Sequence, residues 1–149
     1  MSLKEIIYQK CLDFVTSTVL TAQESIRAAR ETSHAETKSS AGDKYETTRA
    51  MMQIEIENNS KRLAEARTLQ NTLLQITFLE KYELVTIGSL VQTNQGLFFI
   101  AIGIGQVRID LDTYFVISPT APIGELLMRK KVGDAFFFNK KNYLVLEIS

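Results

Sequence analysis

The chain reads as an α+β protein: an N-terminal antiparallel α-helical coiled-coil hairpin, then a small antiparallel β-sheet domain with one short helix. Three observations predict this. Before Glu80 there is no proline and a single glycine, Gly42, whereas six glycines and both prolines follow it. Val, Ile, Phe and Tyr become more frequent across the same point, which marks a change from helix to strand composition. The first half also carries two apolar seams at heptad spacing, separated by a polar stretch. The expected division is residues 1–80 for the helical finger, with its tip at about 33–46, and 81–149 for the sheet domain.

The first helix is expected from about Ser2 to about Thr32. Tyr8, Leu12, Val15, Val19, Ala22, Ile26 and Ala29 recur at alternating intervals of four and three, a seam with small alanines toward its far end. The second is expected from about Lys44 to about Leu79. Tyr45, Met52, Ile56, Leu63, Ala66 and Leu73 follow the same spacing, with Arg49, Asn59 and Gln70 interrupting it. A polar residue in such a seam costs stability and fixes register. The polar join between the helices makes antiparallel pairing within one chain the natural outcome. A bundle formed by two copies is the alternative.

That join, Ser33 to Met52, is the most polar part of the chain, and its section from about His34 to Ala41 reads as a loop. Asp43 and Glu46 stand just beyond it as neighbours on a first helical turn. The D-x-x-E pattern suits a capping box, in which Asp43 accepts from first-turn amides and Glu46 reaches back. It equally suits a pair of acids presented for chemistry. His34 and Glu36 add ligand types but form no recognisable metal motif, so no metal or cofactor of the chain's own is expected.

After Glu80, Val85 to Val91 reads as a strand and Thr93-Asn94-Gln95-Gly96 as a turn. Strands are expected at Leu97 to Ile104, Gln106 to Leu111, Tyr114 to Ile117, Ala135 to Phe138 and Tyr143 to Ile148, with a hairpin turn at Lys140-Lys141-Asn142. Pro122 suits the first turn of a short helix over Ile123 to Met128, because its missing N–H would be unpaired there. Phe136-Phe137-Phe138 reads as sheet core. Arg129-Lys130-Lys131 and Lys140-Lys141 read as solvated turns or as contacts to an acidic partner surface.

Composition removes several function classes. The chain has 17 basic and 17 acidic residues, so it lacks the surplus charge of a nonspecific nucleic-acid binder. Cys11 is the only cysteine, which rules out an intrachain disulfide or a thiolate cluster and fits a reducing interior. The N-terminus has charges within its apolar part and does not read as a signal peptide. No apolar run is long enough for a membrane span. A cytoplasmic protein is expected.

Two stretches, VTIGSLV and ISPTAPIGELLMRKKVGDAFFF, resemble the C-terminal domain of the bacterial Gre transcript-cleavage factors. That family has I-G-x-x-V, then I-S-x-x-S-P-[IL]-G-x-x-L, then K-x-V-G-D. Ile87, Gly88 and Val91 fit the first part. Ile117, Ser118, Pro122, Ile123, Gly124 and Leu127 fit the second, and Lys130, Val132, Gly133 and Asp134 fit the third. Ala121 stands where the family usually has serine. At the tip, Gly42-Asp43-Lys44-Tyr45-Glu46 is similar to the family's G-D-x-x-E run. Thr47, Arg49 and Lys44 depart from that run, and the loop before it reads as longer than the family's sharp turn.

The resemblance implies a coiled-coil finger joined to a domain of FKBP-like fold. It implies an accessory factor, not an enzyme, whose globular part docks at the rim of the secondary channel of RNA polymerase. The finger would enter that channel and place Asp43 and Glu46 beside the polymerase active site. There the two acids would help hold a second Mg²⁺ and a water, so that the polymerase cleaves its own backtracked RNA. Contact with RNA and DNA would be indirect. The departures at the tip leave open a regulator that binds without stimulating cleavage, or inhibits. A protein-interaction module of the same architecture is the third reading.

Overall fold

The computed structural model describes residues 1–39, 42–78 and 82–149, with the side chains of residues 36–39 and 43 outside that description. The elements are α1 (Leu3–Ser39), α2 (Asp43–Leu74), β1 (Leu90–Thr93), β2 (Gly96–Ile100), β3 (Gly105–Ile109), β4 (Asp112–Ile117), α3 (Pro122–Leu127), β5 (Ala135–Phe138) and β6 (Lys141–Ile148). The chain forms two compact units, Met1–Leu12 with Thr72–Ser149, and Asp13–Asn71. No helix among the described residues is long and apolar enough to cross a membrane.

The unit Asp13–Asn71 contains only α1 and α2, so their apolar faces cover each other in an antiparallel hairpin. Val15, Val19, Ala22, Ile26 and Ala29 are buried as the heptad spacing predicts, facing buried Ala66 and half-buried Met52, Ile56 and Leu63. At the tip end of the α2 seam, half-buried Thr48 takes the position expected of Arg49, which is exposed. Asn59 is buried in the seam, and its Nδ2 donates to the Glu55 carbonyl at 2.9 Å, within its own helix. On the outer surface Arg27 pairs with Glu24 and Glu31 at 2.5 and 2.7 Å, contacts that contribute little in water.

At the tip the end of α1 corrects the sequence reading, whereas α2 begins within one residue of the expected Lys44. The expected loop from His34 to Ala41 is mostly helix, because α1 runs on to Ser39 and α2 begins at Asp43. The physical reason is that no glycine or proline intervenes between Thr32 and Gly42, while Ala35, Glu36 and Lys38 are good helix formers. Polarity alone does not stop a helix. At the other end α2 stops at Leu74, short of the expected Leu79. Gln75 and Ile76 donate to Thr72 and Leu73 in the tighter i→i+3 pattern that often closes a helix.

In the unit formed by Met1–Leu12 and Thr72–Ser149, α1 begins with a capping box that the sequence reading did not identify. Ser2 Oγ accepts from Glu5 N at 3.2 Å, and Glu5 Oε2 accepts from Ser2 N at 3.0 Å. Ile7, Cys11 and Leu73 are fully buried, and Tyr8 donates to the Leu73 carbonyl at 2.8 Å while meeting Phe78 edge to face.

The sheet has the order β3-β4-β2-β1-β6-β5. It is mixed where the sequence reading expected an antiparallel one, since β2 and β4 run parallel. The cause is topological: the chain leaves β2, forms the outermost strand β3, and returns as β4 between β3 and β2. β1 starts at Leu90 and not at Val85. Val85–Ser89 is a turn in which Ser89 N donates to the Thr86 carbonyl and Ser89 Oγ accepts from Thr86 N. One sheet face builds a core from Val91, Phe98, Ile100, Tyr143 and Val145 against Leu127 of α3 and Val85. The last hairpin turns at Asn139 and Lys140, both at positive φ, one residue earlier than expected.

Candidate functional site

The candidate site is the start of α2. Gly42 has φ +80°, a conformation that costs an L side chain about 1–2 kcal/mol, and its carbonyl accepts from Glu46 N at 3.3 Å. That is the first intrahelical bond, so Gly42 holds the N-cap position and Asp43 is the first helical residue. A capping box joins the N-cap to the third helical residue, whereas Asp43 and Glu46 are the first and fourth. The reciprocal cap expected of this pair is therefore out of step by one residue. The i,i+3 relation keeps positions 43 and 46 as neighbours on one side of the first turn.

Glu46 is exposed, as are Lys44, Thr47 and Arg49, while Tyr45 is half-buried at the seam. The turn thus combines two acids with two nearby cations at the end of the hairpin. Carboxylates one turn apart on a helix can offer oxygen ligands to a hard cation held mainly by another body. Among the described residues, no group of three His, Cys, Asp or Glu side chains is placed to hold a metal alone. His34 is exposed on α1. Cys11 is fully buried, and that burial pushes its thiol up to about 12, which makes it inert at neutral pH.

The residues that carry the family resemblance serve as turn and packing devices. A Cβ on Gly88 would lie 3.1 Å from both Ile76 Cγ2 and Tyr82 Oη. On Gly124 it would lie 2.0 Å from the Ser118 carbonyl oxygen, so only glycine fits there without a shift. Pro122 occupies the first turn of α3, whose N-cap, Ala121, makes no side-chain cap bond. Gly133 N donates to the Val145 carbonyl, and Asp134 Oδ2 accepts from Lys131 N at 3.0 Å. These motifs specify fold. In the Gly42–Glu46 run, by contrast, Gly42, Lys44 and Glu46 are exposed.

One residue departs from its expected core role. Phe136 and Phe138 pack against the sheet core, but Phe137 is 65% exposed. The period-2 alternation of a strand was the signal that separates it from its neighbours. No protein-family model matches the chain, and no curated protein matches it.

Proposed function

We propose that this chain is a Gre-like accessory factor, which binds RNA polymerase in its secondary channel and stimulates cleavage of backtracked RNA. The observation that carries the reading is the hairpin end: two long helices are joined through three residues, with Asp43 opening α2 and exposed Glu46 in the same turn. The first turn of a long helix suits two carboxylates that must be held at a set spacing. Asp43 and Glu46 would contribute oxygen ligands toward a Mg²⁺ shared with the polymerase, which would supply the remaining ligands and the active site. Such an ion lowers the pKa of a bound water and stabilises charge on a phosphoryl oxygen. The protein would hydrolyse nothing alone and would act in the cytoplasm.

A second reading, a secondary-channel regulator that binds without stimulating cleavage or inhibits it, is favoured by exposed Lys44 and Arg49 beside the acids. Stalled elongation complexes separate the two. Added protein that binds and shortens transcripts supports the first reading, and binding without shortening supports the second. Absence of binding contradicts both and leaves a protein-interaction module of the same architecture.

A further inference from the structure

We propose that the free edge of β5 is a docking site for an extended segment of another protein, which adds to the sheet as a strand and carries acidic residues at both ends. This goes beyond the polymerase reading and stands whether or not that reading holds.

The strand order ends at β5, so among the described residues only its β6 side is paired within the sheet. Ala135 and Phe137 lie opposite Leu144 and Asn142. Leu144 N donates to Asn94 Oδ1 at 2.8 Å, its carbonyl accepts from Asn94 N, and the Asn142 carbonyl accepts from the side chains of Asn94 and Gln95. Residues 142 and 144 therefore direct their backbone groups away from β5. In an antiparallel ladder, directly opposite residues either exchange both bonds or both turn outward. Ala135 and Phe137 thus direct their N–H and C=O groups to the open edge, which is the template for strand addition.

The adjoining surface is apolar. Tyr143 and Val145 belong to the core, so the alternate residues face outward: Phe137 is 65%, Leu144 38% and Leu146 48% exposed. An added strand would bring its own alternate side chains beside this strip. Charge selects the occupant. Arg129, Lys130 and Lys131 precede β5, and Lys140 and Lys141 follow it, against Asp134 and Glu147 alone in residues 129–149. Asp134 is occupied by Lys131 N. Pairing with β5 of a second copy would set lysines against lysines at both ends, in either strand direction, and like-charge juxtaposition disfavours that partner. A strand with acids at both ends fits. A nucleic acid would need stacked aromatics, whereas this edge exposes a single ring.

The test is an amide NMR titration of the labelled full-length chain with a synthetic peptide whose alternating Val-Thr core is flanked by Glu-Asp pairs. Saturable shifts should centre on Ala135 and Phe137 and extend to Lys131 and Lys140. Ala135→Pro removes an N–H that β6 does not use, so the sheet resonances should persist while binding is lost. The exposed pair Lys131→Glu with Lys140→Glu should weaken binding at least about tenfold. The proposal is overturned by an absence of shifts at β5, by equal binding of Ala135→Pro, or by equal binding of a peptide with lysine flanks. It is also overturned if concentrating the protein alone shifts the same amides, or if a single-stranded oligonucleotide binds them more tightly than the peptide.

Discussion

Gly42 sets the geometry on which the acids depend. Its positive φ and its bond from Glu46 N fix where α2 starts, and hence which side of the first turn positions 43 and 46 share. Gly42→Ala should cost the hairpin about 1–2 kcal/mol, read as a lower urea midpoint with unchanged slope. A Cβ there meets nothing within 4 Å, so the whole effect is conformational. Cys11 gives a pH-dependent prediction at the same scale. Its thiol is pushed up to about 12 from an ordinary value of 9.0, so the unfolded chain loses the proton first. Stability from this group is intact below about pH 9 and falls as pH rises toward about 12. Urea midpoints from pH 8 to 11 should decline more steeply in the native protein than in Cys11→Ala. A thiol reagent at pH 8 should label Cys11 only after unfolding.

Among the elements, the helices were legible because burial repeats at the period the sequence shows. The seam residues from Val15 to Ala29 are buried as the heptad spacing implies. Residues 33–39 were not legible as helix, since their polarity resembles that of a loop and only the lack of a breaker before Gly42 distinguishes them. The parallel pairing of β2 with β4 was also hidden, because alternation within a strand carries no information about its neighbour's direction. Asn59 Nδ2 donates within its own helix, to the Glu55 carbonyl, so Asn59→Leu should raise the hairpin's stability by about 1 kcal/mol in thermal unfolding. Ala121 has the extended backbone of an N-cap, φ −66° and ψ 153°, without the capping oxygen. Ala121→Ser should stabilise the sheet unit by about 1 kcal/mol, measured by urea unfolding.

For the whole molecule, the change in composition near Glu80 announced helices followed by a sheet. The compact units divide differently, because Met1–Leu12 groups with Thr72–Ser149. Composition follows the chain, whereas compactness follows contacts, and residues such as Tyr8 and Leu73 meet across long sequence separations. The candidate site was legible as a spacing of two acids, but its meaning depended on where the chain turns. A start one residue later would have made the same pair a capping box. The central claim is that Asp43 and Glu46 act in a partner's active site and do not merely begin a helix. It is tested most directly by the RNA cleavage rate of stalled elongation complexes at saturating protein, comparing the native chain with the Asp43→Asn, Glu46→Gln double variant. The account predicts a fall of about a hundredfold or more with unchanged half-saturation; cleavage by the double variant at the native rate would contradict it.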